Sequence, residues 1–364
     1  MEENYRKNYQ IAQKHFINYS IGDPTSVLAK EHGLIGLTRI ISCMEKLGID
    51  REKIDLIALP DFTYTRNQLR WNAGFPYGCI IKFGNDVPPF IPLDFRPNCC
   101  GVILAEIDNY EGTPDMLQKK YIEIVHSYSQ IDKSDLNRRN HFMGFYYCSN
   151  NNKYYFLIHG SFKFVKDALY YERNKTLSSI SKSEQIMGET FSYLIDDSAK
   201  DYYENYLEHE RLTMYYRNLI TRELFPHSKV IFNRTHEGFF DMRTLLLGAY
   251  ASSQPFSCPI MLAPEVDLPF VNIIKSVDSN NATALFCAPH GGGYALYGVS
   301  KTQRLNNDLY SDYILSYPNN SSIFTDNVLD LPFFYRPNTD YYWCTVFQMG
   351  HELCKMTPIF NLKI

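Results

Sequence analysis

Residues 88–107 read PPFIPLDFRPNCCGVILAEI, and residues 141–161 read HFMGFYYCSNNNKYYFLIHGS. In the first stretch prolines at 88, 89, 92 and 97 rule out a helix, and the β-branched run after Gly101 predicts a buried strand entered from a tight turn. In the second, two apolar aromatic runs flank Ser149-Asn150-Asn151-Asn152, which is hairpin chemistry. Outward from this sheet, helical spacing of Leu34, Leu37, Ile40, Ile41 and Met44 predicts an amphipathic helix within residues 22–49. The stretch 196–224 carries Tyr203, Tyr206, Leu207, Met214, Leu219 and Ile220 behind an Asp-Asp-Ser start, which predicts the longest helix of the chain. Residues 115–139 read as a helix followed by an exposed loop. Short apolar runs at 55–62, 77–84, 230–236, 259–263, 271–277 and 282–288 predict further strands, with a final one at 344–348 (CTVFQ). No internal repeat and no Gly/Ser-rich linker divides the chain, so the expectation is one α+β domain over residues 1–364, with mixed and antiparallel sheets and flanking helices.

The chain has 364 residues, of which 45% are hydrophobic and 21% charged, with a formal net charge of −4. It can therefore bury a sizeable core, and its charge argues against a broad polybasic nucleic-acid surface while leaving a local phosphate site open. No apolar run reaches the 18 or so residues a membrane span requires, and the start MEENYRKNYQ is charged; the expectation is a cytoplasmic protein with no membrane partner. Nine cysteines without a C-x-x-C pair are expected to be reduced, mostly buried thiols. The N-x-[ST] matches at Asn18, Asn174, Asn233 and Asn281 carry no weight in an Asn-rich chain.

Chemistry concentrates at four histidines and one cysteine pair. His141 opens a strand, His159 and His236 end strands, and imidazoles beside a thiolate suit Mn, Fe or Zn. Cys99-Cys100-Gly101 is either two buried thiols in a turn or a turn presenting one thiolate that bridges two ions. Pro289-His290-Gly291-Gly292-Gly293 is either a flexible turn or a loop whose N–H groups approach an anion beside a nucleophilic or acid–base imidazole.

Taken in order, these segments resemble the RtcB family of RNA-splicing ligases, from about Leu59 to the C-terminus, with residues 1–58 as a helical addition. Leu59-Pro60-Asp61 is similar to that family's Pro-Asp turn, and Phe90 through Val102 to its proline-rich strand and D-x-x-C-G turn. Asn140-His141-Phe142 is similar to its N-H-F pattern, His159-Gly160-Ser161 to its H-x-G-S, and His236-Glu237 to its H-N pair. Gly248-Ala249 is similar to its Gly-Ala turn, and Pro259 through Pro264 stands where its nucleotide-binding loop does. His290 through Gly293 resembles H-G-x-G-R, and Lys363 is penultimate like the family's guanine-contacting lysine. The resemblance implies a GTP- and Mn(II)-dependent ligase, with one or two ions, that joins RNA 3′-phosphate or 2′,3′-cyclic phosphate ends to 5′-hydroxyl ends, and it leaves room for an archease-like activator. His290 would be the nucleophile that carries GMP. Cys100, His141, His159 and His236 would hold metal, and Asn140, Gly291, Gly293 and Lys363 would bind the nucleotide. Arg138, Arg139, Lys163 and Lys166 are candidates for RNA phosphates. The sequence departs from the pattern at Pro97 (for Asp), Gly144 (for Glu), Glu237 (for Asn) and Tyr294 (for Arg), and Asp94 replaces the lost ligand only if its turn is rebuilt. These departures keep open a relative that binds RNA ends or nucleotide without joining them, and a single-metal phosphoesterase.

Overall fold

The computed structural model describes residues 2–108, 112–129, 131–132, 135–136, 141–278, 284–306 and 312–363. It is an α+β architecture of several sheets with helices packed on their outer faces. The larger sheet has seven strands in the order Lys229–Thr235, Gly101–Ile107, Lys153–Gly160, Phe142–Cys148, Gly350–Leu362, Leu268–Ile273 and Phe256–Pro259, every neighbouring pair antiparallel. A five-stranded sheet runs Phe16–Asn18, Ile54–Thr63, Tyr77–Phe83, Thr244–Leu247 and Glu237–Asp241, with a parallel pairing only between the first two.

Strand alternation decides how these layers stack. In Ile54–Thr63, Leu56 and Ala58 face a core shared with Leu34, Leu37, Ile40 and Ile41 of the helix Pro24–Lys46, while Ile57 and Leu59 face a second core. That second core also takes Val102, Leu104 and Leu157 from the seven-stranded sheet, so the two sheets share it. The opposite face of the larger sheet, with Ile103, Phe145, Phe156 and Ile158, packs on Leu117, Tyr121 and Ile124 of the helix Pro114–Ser127 and on Ile220 and Leu224 of the helix Asp197–Leu224. Because both faces of the central strands are buried, a one-residue slip would exchange the two sets and is strongly opposed.

The 28-residue helix Asp197–Leu224 is the longest among the described residues, and the hairpin joins Phe142–Cys148 to Lys153–Gly160 as the sequence predicts. The charged start is itself a helix, Glu2–Lys14, within the part read as helical. One expectation needs correction. Residues 344–348 are not the final strand: Tyr342–Val346 forms a π-helical turn, and the chain then enters the strand Gly350–Leu362. Trp343 anchors that turn by inserting into the second core, while Thr345 and Val346 stay exposed, so the run neither pairs nor buries as a unit. None of the described helices is long and apolar enough to cross a membrane.

Candidate metal and nucleotide site

The hairpin and its neighbour bring three donors to one end of the larger sheet. Val102 and Phe142 flank His159 on the rungs of the adjoining strands, and Gly101 pairs with Gly160. Cys100 and His141, one residue before those strands, therefore arrive on either side of His159. Cys100 Sγ lies 3.4 Å from His141 Nε2 and 3.4 Å from His159 Nε2. His236 enters from the turn between Lys229–Thr235 and Glu237–Asp241, where its N–H donates to the carbonyl of Cys100 at 2.8 Å. Its Nε2 is 3.4 Å from that of His159. The buried Arg217 of the long helix fixes the arrangement by donating to the carbonyls of Cys99 (3.3 Å) and Gly160 (3.2 Å).

The ligand atoms of Cys100, His159 and His236 all lie within 4.8 Å of one another. Tetrahedral coordination with metal–nitrogen bonds of about 2.0–2.1 Å and a metal–sulfur bond of about 2.3 Å sets ligand separations of about 3.3–3.6 Å, which the 3.4 Å contacts match. Burial holds His236 neutral, its pKa well below the ordinary imidazole value, with the nearby charges of His290, His159 and Arg217 adding to the effect. Neutral imidazole is the state a ligand requires. Burial pushes the Cys100 thiol up, Glu237 reinforcing this and Arg217 and Lys166 opposing it. A thiolate there is favoured when a cation accompanies it. The donor set thus suits a borderline divalent ion.

His290 stands beside the cluster, its ring centroid 4.6 Å from that of His236. Nδ1 of His290 is 2.7 Å from Oδ2 of the fully buried Asp61, which also accepts the Gly291 N–H at 3.4 Å. Asp61 Oδ1 has no hydrogen-bond partner. With Nδ1 occupied, Nε2 is the ring's open nitrogen. The three glycines behind it are required by close approach. A Cβ at Gly291 would lie 2.4 Å from the Met261 carbonyl, one at Gly292 2.3 Å from that of Arg336, and one at Gly293 2.3 Å from that of Asp61.

A cavity of about 710 Å³ opens over these groups, lined by Cys100, His141, His159, His290, Gly291, Gly293 and Lys363 among others. Its size falls in the range of small-molecule sites. His236 sits behind its wall, fully buried. Asn140, Arg138 and Arg139 lie outside the described residues. Cys99 packs into the first core, so only one of the vicinal thiols faces the site.

Asp94 does not replace the missing carboxylate. It occupies the turn Leu93–Phe95, half-buried among Arg39, Arg96 and Glu172 and hydrogen-bonded by Tyr171, with burial raising its pKa. Pro97 brings no donor. Glu237 instead forms a two-pronged ion pair with Arg70, 3.3 Å on each arm. Burial alone would raise the Glu237 pKa. Arg70 outweighs it, with help from the Tyr77 hydroxyl and His290, and holds the carboxyl below the usual carboxylate range.

The roles of Asp61, Arg70 and Tyr77 are not readable from local sequence, because their partners are contributed by segments far along the chain. No protein-family model matches the chain, and no curated protein matches it.

Proposed function

We propose that the protein is a GTP-dependent RNA ligase, similar to the RtcB family, that joins 3′-phosphate or 2′,3′-cyclic phosphate ends to 5′-hydroxyl ends through a histidine–GMP intermediate. The observation that supports this reading is the convergence of one thiol and four imidazoles from separate segments, Cys100, His141, His159 and His290 at one pocket and His236 just behind its wall. The ordered motifs of the sequence point to the same chemistry.

Cys100, His159 and His236 would hold the ion, Mn(II) in this reading, with His141 beside it; when bound it offsets charge on the phosphate oxygens. Asp61 accepts the Nδ1 proton of His290 and so aims the Nε2 lone pair at the α-phosphorus of GTP. The new P–N bond forms as the bond to the bridging oxygen breaks, and pyrophosphate leaves. An oxygen of the RNA 3′-phosphate then attacks that phosphorus, the P–N electrons return to His290, and GMP is carried on the RNA. A 2′,3′-cyclic end is first opened by water to the 3′-phosphate. Finally the 5′-hydroxyl attacks the 3′-phosphate, loses its proton and displaces GMP. Lys363 and the wall from Met261 to Leu268 are the guanine side of the pocket in this reading.

The absence of a carboxylate at Pro97, with Asp94 directed to Arg39 and Arg96, favours a second reading. A one-ion site suits a phosphoesterase, or a protein that binds RNA ends or nucleotide without joining them. Incubation with GTP and Mn(II), followed by intact mass measurement, separates the readings. A mass gain of one GMP that disappears in His290→Ala is the expected result. An unchanged mass with every divalent ion tried removes the ligase reading, and turnover of a cyclic-phosphate RNA without GTP points to the phosphoesterase.

A further inference from the structure

The segment following Asp61 is stitched to the glycine turn. Thr63 Oγ1 donates to the Tyr294 carbonyl at 2.8 Å, and the Tyr64 ring stacks 5.5 Å from that of Tyr294. Arg66 follows two residues later and lays its guanidinium over Phe333, 4.6 Å from the ring centroid. The Phe333 ring is in turn 4.8 Å from that of Tyr294, and the Tyr335 ring is 5.4 Å from it. Arg66, Tyr294 and Tyr335 line the same cavity as His290 and Gly291 through Gly293. Stacking fixes the plane of a guanidinium, and a planar guanidinium fork matches phosphate oxygens two at a time.

The cavity is also built for an anion. Arg66, Arg70, Lys166, Arg173 and Lys363 line it against one carboxylate, Glu237. Of these cations, Arg66 is the one tied by ring contacts to the residue that follows the glycine turn.

We propose that Arg66 is a phosphate-binding residue whose guanidinium, braced on Phe333, holds the polyphosphate of a substrate lying against the His290–Gly293 turn. The ligase reading is needed only to name that substrate as GTP.

Inorganic tripolyphosphate is the probe, titrated calorimetrically into the full-length protein. Charge-assisted hydrogen bonds of this kind make the expected loss about 10- to 100-fold in affinity for Arg66→Ala. Arg66→Lys should fall between, Lys166→Ala should lose less, and metal content should stay unchanged in all three. Should Arg66→Ala fail to fold, Arg66→Gln, which keeps a stem over Phe333, takes its place. No binding to the wild-type protein, or equal binding to the variant, overturns the assignment. The GMP-adduct assay is a separate readout. Tripolyphosphate binding that depends on Arg66 without any adduct keeps Arg66 and rejects the ligase, whereas adduct formation in Arg66→Ala with unchanged GTP dependence does the reverse.

Discussion

Asp61 and His290 are separated by 229 residues in sequence and by 2.7 Å in space, carboxylate oxygen to Nδ1. The carboxylate is fully buried and its other oxygen has no partner, so its charge acts chiefly on that ring and on the Gly291 N–H. Asp61→Asn keeps the shape but offers an amide that can stabilise the wrong tautomer. By analogy with other carboxylate–histidine pairs, GMP-adduct formation should slow by about a hundredfold or more, while metal content is unchanged. Adduct formation at the wild-type rate would show that Asp61 is only a packing residue.

The Cys100–His159–His236 group should make stability depend on metal. An ion present at about 100 times its Kd adds about 2.7 kcal/mol to the folded state. Dialysis against chelator is therefore expected to lower Tm, and Mn(II) or Zn(II) to restore it. In Cys100→Ser and His236→Ala that metal response should largely vanish. Cobalt(II) gives a direct optical check, because thiolate-to-cobalt absorption should be present in the wild-type protein and absent in Cys100→Ser. A wild-type metal response in both variants would place the ion elsewhere.

Two buried pairs set opposite pH limbs of stability. Glu237, depressed by Arg70 against the effect of burial, contributes stability that is present above the unfolded carboxylate value of about 4.3 and is lost as pH falls through its lower folded value. His15 has the opposite sign. Its hydrogen bond to Asp55 raises its pKa against the cost of burial, with Glu52 adding to the rise. That stability is complete below about 6.5 and fades as pH climbs through the raised folded value. His15→Gln should flatten the alkaline limb of a Tm–pH curve and leave the acid limb in place. Arg70→Met, which strands a buried carboxylate, should cost about 3–5 kcal/mol near neutral pH, and urea unfolding measures it.

Much of this site was legible in sequence for a physical reason. Cys100, His141 and His159 sit at strand ends, where alternation and turn chemistry locate a residue well, and His290 is marked by three glycines. What was not legible depends on distant partners. Nothing local distinguishes Asp61 from any carboxylate after a proline, Arg70 from a surface arginine, or Glu237 from a second-row ligand, until two strands of the five-stranded sheet and the short helix Gln68–Asn72 bring them together at the pocket. The error at 344–348 has a related origin, since a short apolar run can close a helical turn as readily as it pairs, and here the preceding Trp343 holds that turn in the core. Residues 350–362 escaped notice because their exposed and half-buried positions lack the apolar run of a core strand, although they join both halves of the larger sheet.

Gly292 tests whether the turn positions the nucleophile or merely links two strands. An alanine Cβ there would come 2.3 Å from the Arg336 carbonyl. Arg336 has little room to yield, because its guanidinium donates to both oxygens of Asp23 at 2.8 and 2.9 Å and to the Phe62 carbonyl at 3.2 Å. Asp23 in turn caps the helix Pro24–Lys46 through the Ser26 N–H. The clash must therefore move the turn, and His290 with it, away from Asp61. Gly292→Ala is expected to cost about 1–3 kcal/mol of stability as an overpacked site. Its adduct formation should fall far more than its metal content, since His159 lies on the larger sheet and Cys100 and His236 lie at strand ends beside it, apart from the glycine turn. Equal losses of adduct and metal would mean that the turn supports the whole centre, and an unaltered adduct rate would mean that it has no positioning role.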